Sequence, residues 1–229
     1  MDGLTFDLAQ TSLREVNQFL HQDPLRHGGQ TVQILNPDGA HSIAVGIDAP
    51  IQVEIQGHAG YYAAGMNQLA TVTIHGNAGP SVAENMMSGR VHVKGFASVS
   101  AGASAHGGLL VIDGDAGLRC GISLKGGDIV VGGSVGSFSA FMAQAGRIVV
   151  CGNAGDALGD SLYEAVIYIR GKIKSLGADA QIEPMTEADY ASVEELLVKA
   201  NFTYNPKEFQ RVASAKQLYH WNADANQEY

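Results

Sequence analysis

The sequence predicts an all-β protein: a right-handed, single-stranded parallel β-helix of seven 19-residue coils with short flanking α-helices. Three observations lead there. A pattern of apolar, any, apolar, any, glycine recurs seven times, with its glycines at Gly57, Gly76, Gly95, Gly114, Gly133, Gly152 and Gly171, each 19 residues after the last. Other phases keep the same register. Ala59, Ala78, Ala97, Ala116, Val135, Ala154 and Ile173 follow two residues after those glycines, and Ala64, Ala83, Gly102, Gly121, Ala140 and Gly159 follow seven after the first six. Glycine is also abundant, with 29 residues against six prolines, which suits tight turns and backbone packed on backbone.

Within each coil, segments such as Val72-Thr73-Ile74 and Ile148-Val149-Val150 alternate β-branched residues with period two, which marks strands. The residues between strands are mostly small, and they lack the long amphipathic run that a helix would need. Equivalent strands therefore stack in parallel at about 4.8 Å, giving a rod of roughly 29 Å over six steps. Two ladders point inward, Val53 through Ile167 and Ile55 through Ile169. The right hand follows from the rule for parallel crossovers. Left-handed exceptions carry a large aliphatic every six residues, whereas stepping by six from Val53 meets Ala59, Gly65 and Thr71.

The chain divides into an N-terminal helical segment (1–30), the β-helix (31–180) and a C-terminal helix and tail (181–229). Ser12-Leu13-Arg14-Glu15 is a capping box, and Leu13, Val16 and Leu20 share a helical face, so a short helix is expected over about 13–21. Ile43-Ala44-Val45-Gly46-Ile47 reads as an out-of-phase strand that opens the solenoid. Thr186, Tyr190, Val193, Leu196 and Leu197 predict a second helix ending near Asn201. The stretch 202–229 is rich in aromatic residues, and it suits either an arm on its own β-helix or a clasp on another subunit.

Net charge is −9 with no basic stripe, so nucleic acid and anionic membranes are not expected partners. The N-terminus lacks the basic and apolar regions of a secretory leader, and a cytoplasmic setting is expected. No motif offers a complete catalytic, cofactor-binding or metal site, and none is assigned. His58, His75 and His92 occupy different phases and read as exposed strand residues rather than ligands. Cys120 and Cys151 are too few for a cluster, and Cys151 reads as a small filler. Asp113, Asp115 and Asp128 lack the lengthened loops that shape an acidic polysaccharide-cleaving groove. The residue between the two inward ones runs Glu54, Thr73, His92, Val111, Val130, Val149, Tyr168. An outward ribbon that turns apolar needs a cover, expected partly from the C-terminal segment and partly from a partner.

The repeat resembles the GXGXG β-helix domain at the C-terminus of the glutamate synthase large subunit, and the β-helix chain of formylmethanofuran dehydrogenase. Longer strings look closer to the stand-alone β-helix subunit of N-methylglutamate synthase: Gly57-His58-Ala59-Gly60-Tyr61-Tyr62, Ala83-Glu84-Asn85-Met86-Met87-Ser88-Gly89, Ala140-Phe141-Met142-Ala143-Gln144-Ala145-Gly146 and Gly159-Asp160-Ser161-Leu162-Tyr163-Glu164-Ala165. The tail Ser214-Ala215-Lys216-Gln217-Leu218-Tyr219-His220 adds a fifth. The resemblance implies a cytoplasmic hetero-oligomer of methylamine metabolism in which this chain is a non-catalytic scaffold. One partner would be a class II glutamine amidotransferase-like subunit. The other would be a glutamate synthase-like subunit carrying FMN and an iron–sulfur cluster. A scaffold for plain glutamate synthesis and a self-assembling β-helix are the alternatives.

Overall fold

The computed structural model describes residues 4–22 and 29–216. They form one 11-stranded sheet and two α-helices, with a short 3-10 turn at Pro206–Glu208 besides. In chain order these are β1 (Leu4–Asp7), α1 (Leu13–Leu20), β2 (Thr31–Leu35), β3 (Gln52–Gln56), β4 (Thr71–Ile74), β5 (Arg90–Val93), β6 (Leu109–Ile112), β7 (Lys125–Val131), β8 (Ala145–Val150), β9 (Val166–Ile169), β10 (Ala180–Glu183), α2 (Glu187–Ala200) and β11 (Gln210–Ser214). Strands β1 to β9 pair in parallel in sequence order, the arrangement of a β-solenoid.

The seven expected coils are those of β3 to β9. Val53, Val72, Val91, Leu110, Ile129, Ile148 and Ile167 are partners in one unbroken register. All fourteen inward ladder residues are buried, none more than 2% exposed. A second ladder of single bridges joins Ala59, Ala78, Ala97, Ala116, Val135, Ala154 and Ile173. Each coil is thus pinned to its neighbours at two places.

The turns carry a repeated backbone signature. Three alternate residues per coil are left-handed: Tyr62, Ala64 and Met66, then Ser81, Ala83 and Asn85, and so on to Ala157, Gly159 and Ser161, with φ between 52° and 68°. A non-glycine residue there costs about 1–2 kcal/mol, so the surroundings must hold it. Main-chain bonds do so in both directions. Ser81 N–H donates forward to the Val99 carbonyl (2.9 Å), and Ala83 N–H donates back to the Ala63 carbonyl (2.9 Å). The middle residue of each triplet is buried, which explains why that phase holds only alanine or glycine.

The diagnostic glycines serve close approach. A Cβ on Gly152 would lie 2.6 Å from the carbonyl carbon and oxygen of Gly133 in the preceding coil. Gly152→Ala is therefore expected to lower stability by about 1–3 kcal/mol in urea denaturation, the usual cost of overpacking.

The flanks contribute more strand than the sequence suggests. The segment Ile43-Ala44-Val45-Gly46-Ile47 is a turn, not an opening strand, because Ser42, Ala44 and Gly46 take the left-handed triplet. Ile43 and Ile47 are buried there, and the strand that pairs ahead of β3 is β2. Ahead of it, β1 pairs with β2, and α1 lies between them in the chain. Helix α1 has the expected Ser12–Glu15 capping box and buries Val16 and Leu20 in the core, with Phe6 against Phe19 at 4.8 Å. At the far end β11 runs antiparallel between β9 and β10. Among the described residues no helix is long and apolar enough to cross a membrane.

Candidate functional site

The apolar outer ribbon is the one feature that the sequence singles out for interaction. Alternation turns Val111, Val130, Val149 and Tyr168 away from the core, and helix α2 lies over them. Val193, Leu196, Leu197 and Ala200 form one face of α2 and pack with the ribbon, Cys151 and Phe209 in a second apolar core. The three valines are fully buried and Tyr168 is 3% exposed. The expectation that a partner shares this ribbon is thereby corrected. The four residues lie in adjacent coils, so one 14-residue helix spans them all.

Local sequence fixes where α2 starts and stops. Thr186 and Asp189 form a capping box, and Asn201 ends the helix in a left-handed conformation, φ 62°. Asp189 also receives the Tyr168 hydroxyl (2.8 Å) and the Arg211 Nε (3.2 Å). Burial pushes the Tyr168 phenol up to about 12, helped by the Asp189 carboxylate. Burial alone would raise Asp189, but bonds from Thr186 and Tyr168 outweigh it and keep its carboxyl below the usual range. Arg211 pairs with Glu183 as well, tying β11, β10 and α2 together.

A second network holds the other side of the helix. Arg147 is bidentate to Asp128, at 2.8 and 2.7 Å, and reaches Glu195 of α2 at 2.9 Å. Its guanidinium is held more firmly charged, mainly by Asp128. Glu195 is lowered to about 2 by Lys199 and Arg147. Arg90 donates to the Lys199 carbonyl near the end of α2 (2.9 Å). Asp128 and Arg147 are one 19-residue step apart, so the repeat already stacks them. That pairing is not among the features singled out from the sequence, although the constant period is signal enough to find it.

The histidines stay apart. His75 meets Glu54 at 2.5 Å, and His58 Nδ1 accepts from the Asn77 N–H at 2.9 Å. Neither of those two is buried, but His92 departs from the expected exposure. Its side chain is 12% exposed and meets Asp113 at 2.7 Å. Burial lowers its affinity for a proton, and Asp113 works against that. His92 sits one coil before Val111 on the ribbon, which accounts for the cover. Among the described residues no group of three or more His, Cys, Asp or Glu could hold a metal ion.

No family model matches the chain. It is 53% identical over 219 residues to Protein GlxC of Rhizobium meliloti (strain 1021), covering 95% of this chain and 96% of that protein. The chain belongs to the GlxC family. In this GlxC-family fold the two cysteines lie in separate cores, Cys120 inside the solenoid and Cys151 beneath α2. Burial pushes both thiols up to about 12. Sulfurs so placed cannot share a cluster, and neither is poised as a thiolate. The fit with an iron–sulfur centre on this chain fails. Asp113 and Asp128 are committed to His92 and Arg147, and Asp115 accepts from the Ser134 N–H at 2.7 Å.

Proposed function

We propose that this chain is the non-catalytic scaffold subunit of a heteromeric glutamate synthase-like enzyme. That enzyme is N-methylglutamate synthase, which converts glutamate and methylamine into N-methyl-L-glutamate and ammonia. The chain positions an amidotransferase-like subunit and a synthase-like subunit that carries FMN and the iron–sulfur cluster. The observation carrying this reading is the location of the family-like strings. They fall at 57–62, 83–89, 140–146 and 159–165, nearly all in the turns between strands. Alternating strands would look alike in any β-solenoid; turn sequences are free to differ and so are more specific. The solenoid suits the role physically. Two ladders and a continuous core make a stiff rod, and stiffness fixes the distance between bodies docked along it.

Reconstitution tests the reading. The three chains together should form N-methyl-L-glutamate from methylamine and glutamate, and omitting this one should cut the rate at least tenfold. Undiminished turnover without it would refute the scaffold role. Exchange of isotopically labelled ammonia into glutamate with no N-methyl-L-glutamate formed from methylamine would refute the amine assignment alone.

A further inference from the structure

A second apolar ribbon runs along the turns, and no part of the described chain covers it. Tyr61, Pro80, Val99 and Leu118 stand four residues after successive repeat glycines, with Phe138 in the next phase one coil on. Main-chain bonds stack these positions. Tyr62 N–H donates to the Pro80 carbonyl (2.9 Å), Ser81 to Val99 (2.9 Å) and Ser100 to Leu118 (2.8 Å). The ribbon is therefore about 19 Å long, four coil steps. Tyr61 is 47% exposed, Val99 38%, Leu118 52% and Phe138 44%. Phe96, in the Val99 coil, is 52% exposed. Half-exposed aromatic and aliphatic side chains in such a row present roughly 400–500 Å² of apolar surface. That suits the centre of an interface burying about 800 Å² per partner.

Charge says what kind of surface fits. In a chain that is 16% charged, the segments 57–69, 76–88, 95–107, 114–126 and 133–145 hold only Glu84, Asp115, Arg119 and Lys125. Arg119, beside Leu118, is exposed and makes no ion pair among the described residues. A second copy fits badly. A two-fold contact centred on the ribbon would set Arg119 near its own counterpart, and both chains carry −9. We propose that this ribbon docks a different protein chain whose apolar surface carries a carboxylate opposite Arg119. The inference rests on the scaffold reading, under which the occupant is a catalytic subunit.

The test coexpresses the full chain with the amidotransferase-like and synthase-like chains. Leu118→Asp combined with Arg119→Glu should leave the melting curve unchanged and cut copurified catalytic chain at least tenfold. Val198→Asp, on the exposed side of α2, should leave copurification intact. Leu118→Cys gives a readout that does not depend on disrupting anything. A maleimide should label it in the isolated chain and be blocked in the complex, with the buried native thiols silent. A folded double variant that retains its partner, or a Leu118→Cys labelled equally fast in the complex, overturns the proposal. If the unaltered chain captures neither catalytic subunit, the scaffold reading itself falls and takes this docking face with it. Loss confined to the ribbon variants supports both.

Discussion

Replacing Val130 and Val149 together by glutamate is expected to strip helix α2 from the solenoid while leaving the β-core folded. Both side chains are fully buried beneath α2. Each loses about 1.5–3 kcal/mol of apolar burial, so the pair removes roughly 3–6 kcal/mol of docking energy before any charge is desolvated. Undocking lets both carboxylates reach water, which costs less than burying them. The Arg147–Glu195 contact would not hold the helix, because a partly exposed ion pair contributes little. Limited proteolysis should cut within 187–200 in the variant and spare the same segment in the parent. Far-ultraviolet circular dichroism should keep its β signal. A variant whose α2 stays protected would mean that the ribbon does not anchor the helix.

Truncating one inward ladder residue should do the opposite, weakening the solenoid itself. Ile112 is fully buried in the central coil, between Val93 and Val131 of the neighbouring rungs. Ile112→Ala leaves a cavity that rungs pinned on both sides cannot collapse to fill. The expected loss is about 2–5 kcal/mol in a urea melt. A loss below about 1 kcal/mol would mean that the strand phase is misassigned.

That phase was fully legible. Seven glycines in constant step fixed the two inward positions, and with them the outward ribbon that α2 covers. The capping box at Ser12 and the apolar spacing of Tyr190, Val193, Leu196 and Leu197 likewise marked both helices to within a residue or so. The misses have physical reasons. Val32 and Val53 are partners across 21 residues rather than 19, and helix α1 intervenes between β1 and β2. A constant period therefore first registers at β3, two strands into the ladder. Ile43 to Ile47 alternates like a strand, but Ser42, Ala44 and Gly46 are left-handed, so the segment turns and buries Ile43, Ala44 and Ile47 together. Apolar spacing alone cannot separate that backbone from β. Antiparallel β11 has no counterpart in the repeat, so only its pairing with β9 reveals it. The tail string beyond Lys216, and with it the question of a clasp on another subunit, lies outside the described residues.

The scaffold role is tested most directly by native mass spectrometry of the tagged chain purified from its own host. A scaffold should emerge in a fixed stoichiometry with an amidotransferase-like and a synthase-like chain. On dissociation, flavin and iron should leave with the synthase-like chain, and this chain should appear at its bare polypeptide mass. Emergence alone, or with flavin or iron bound in stoichiometric amount, would contradict it.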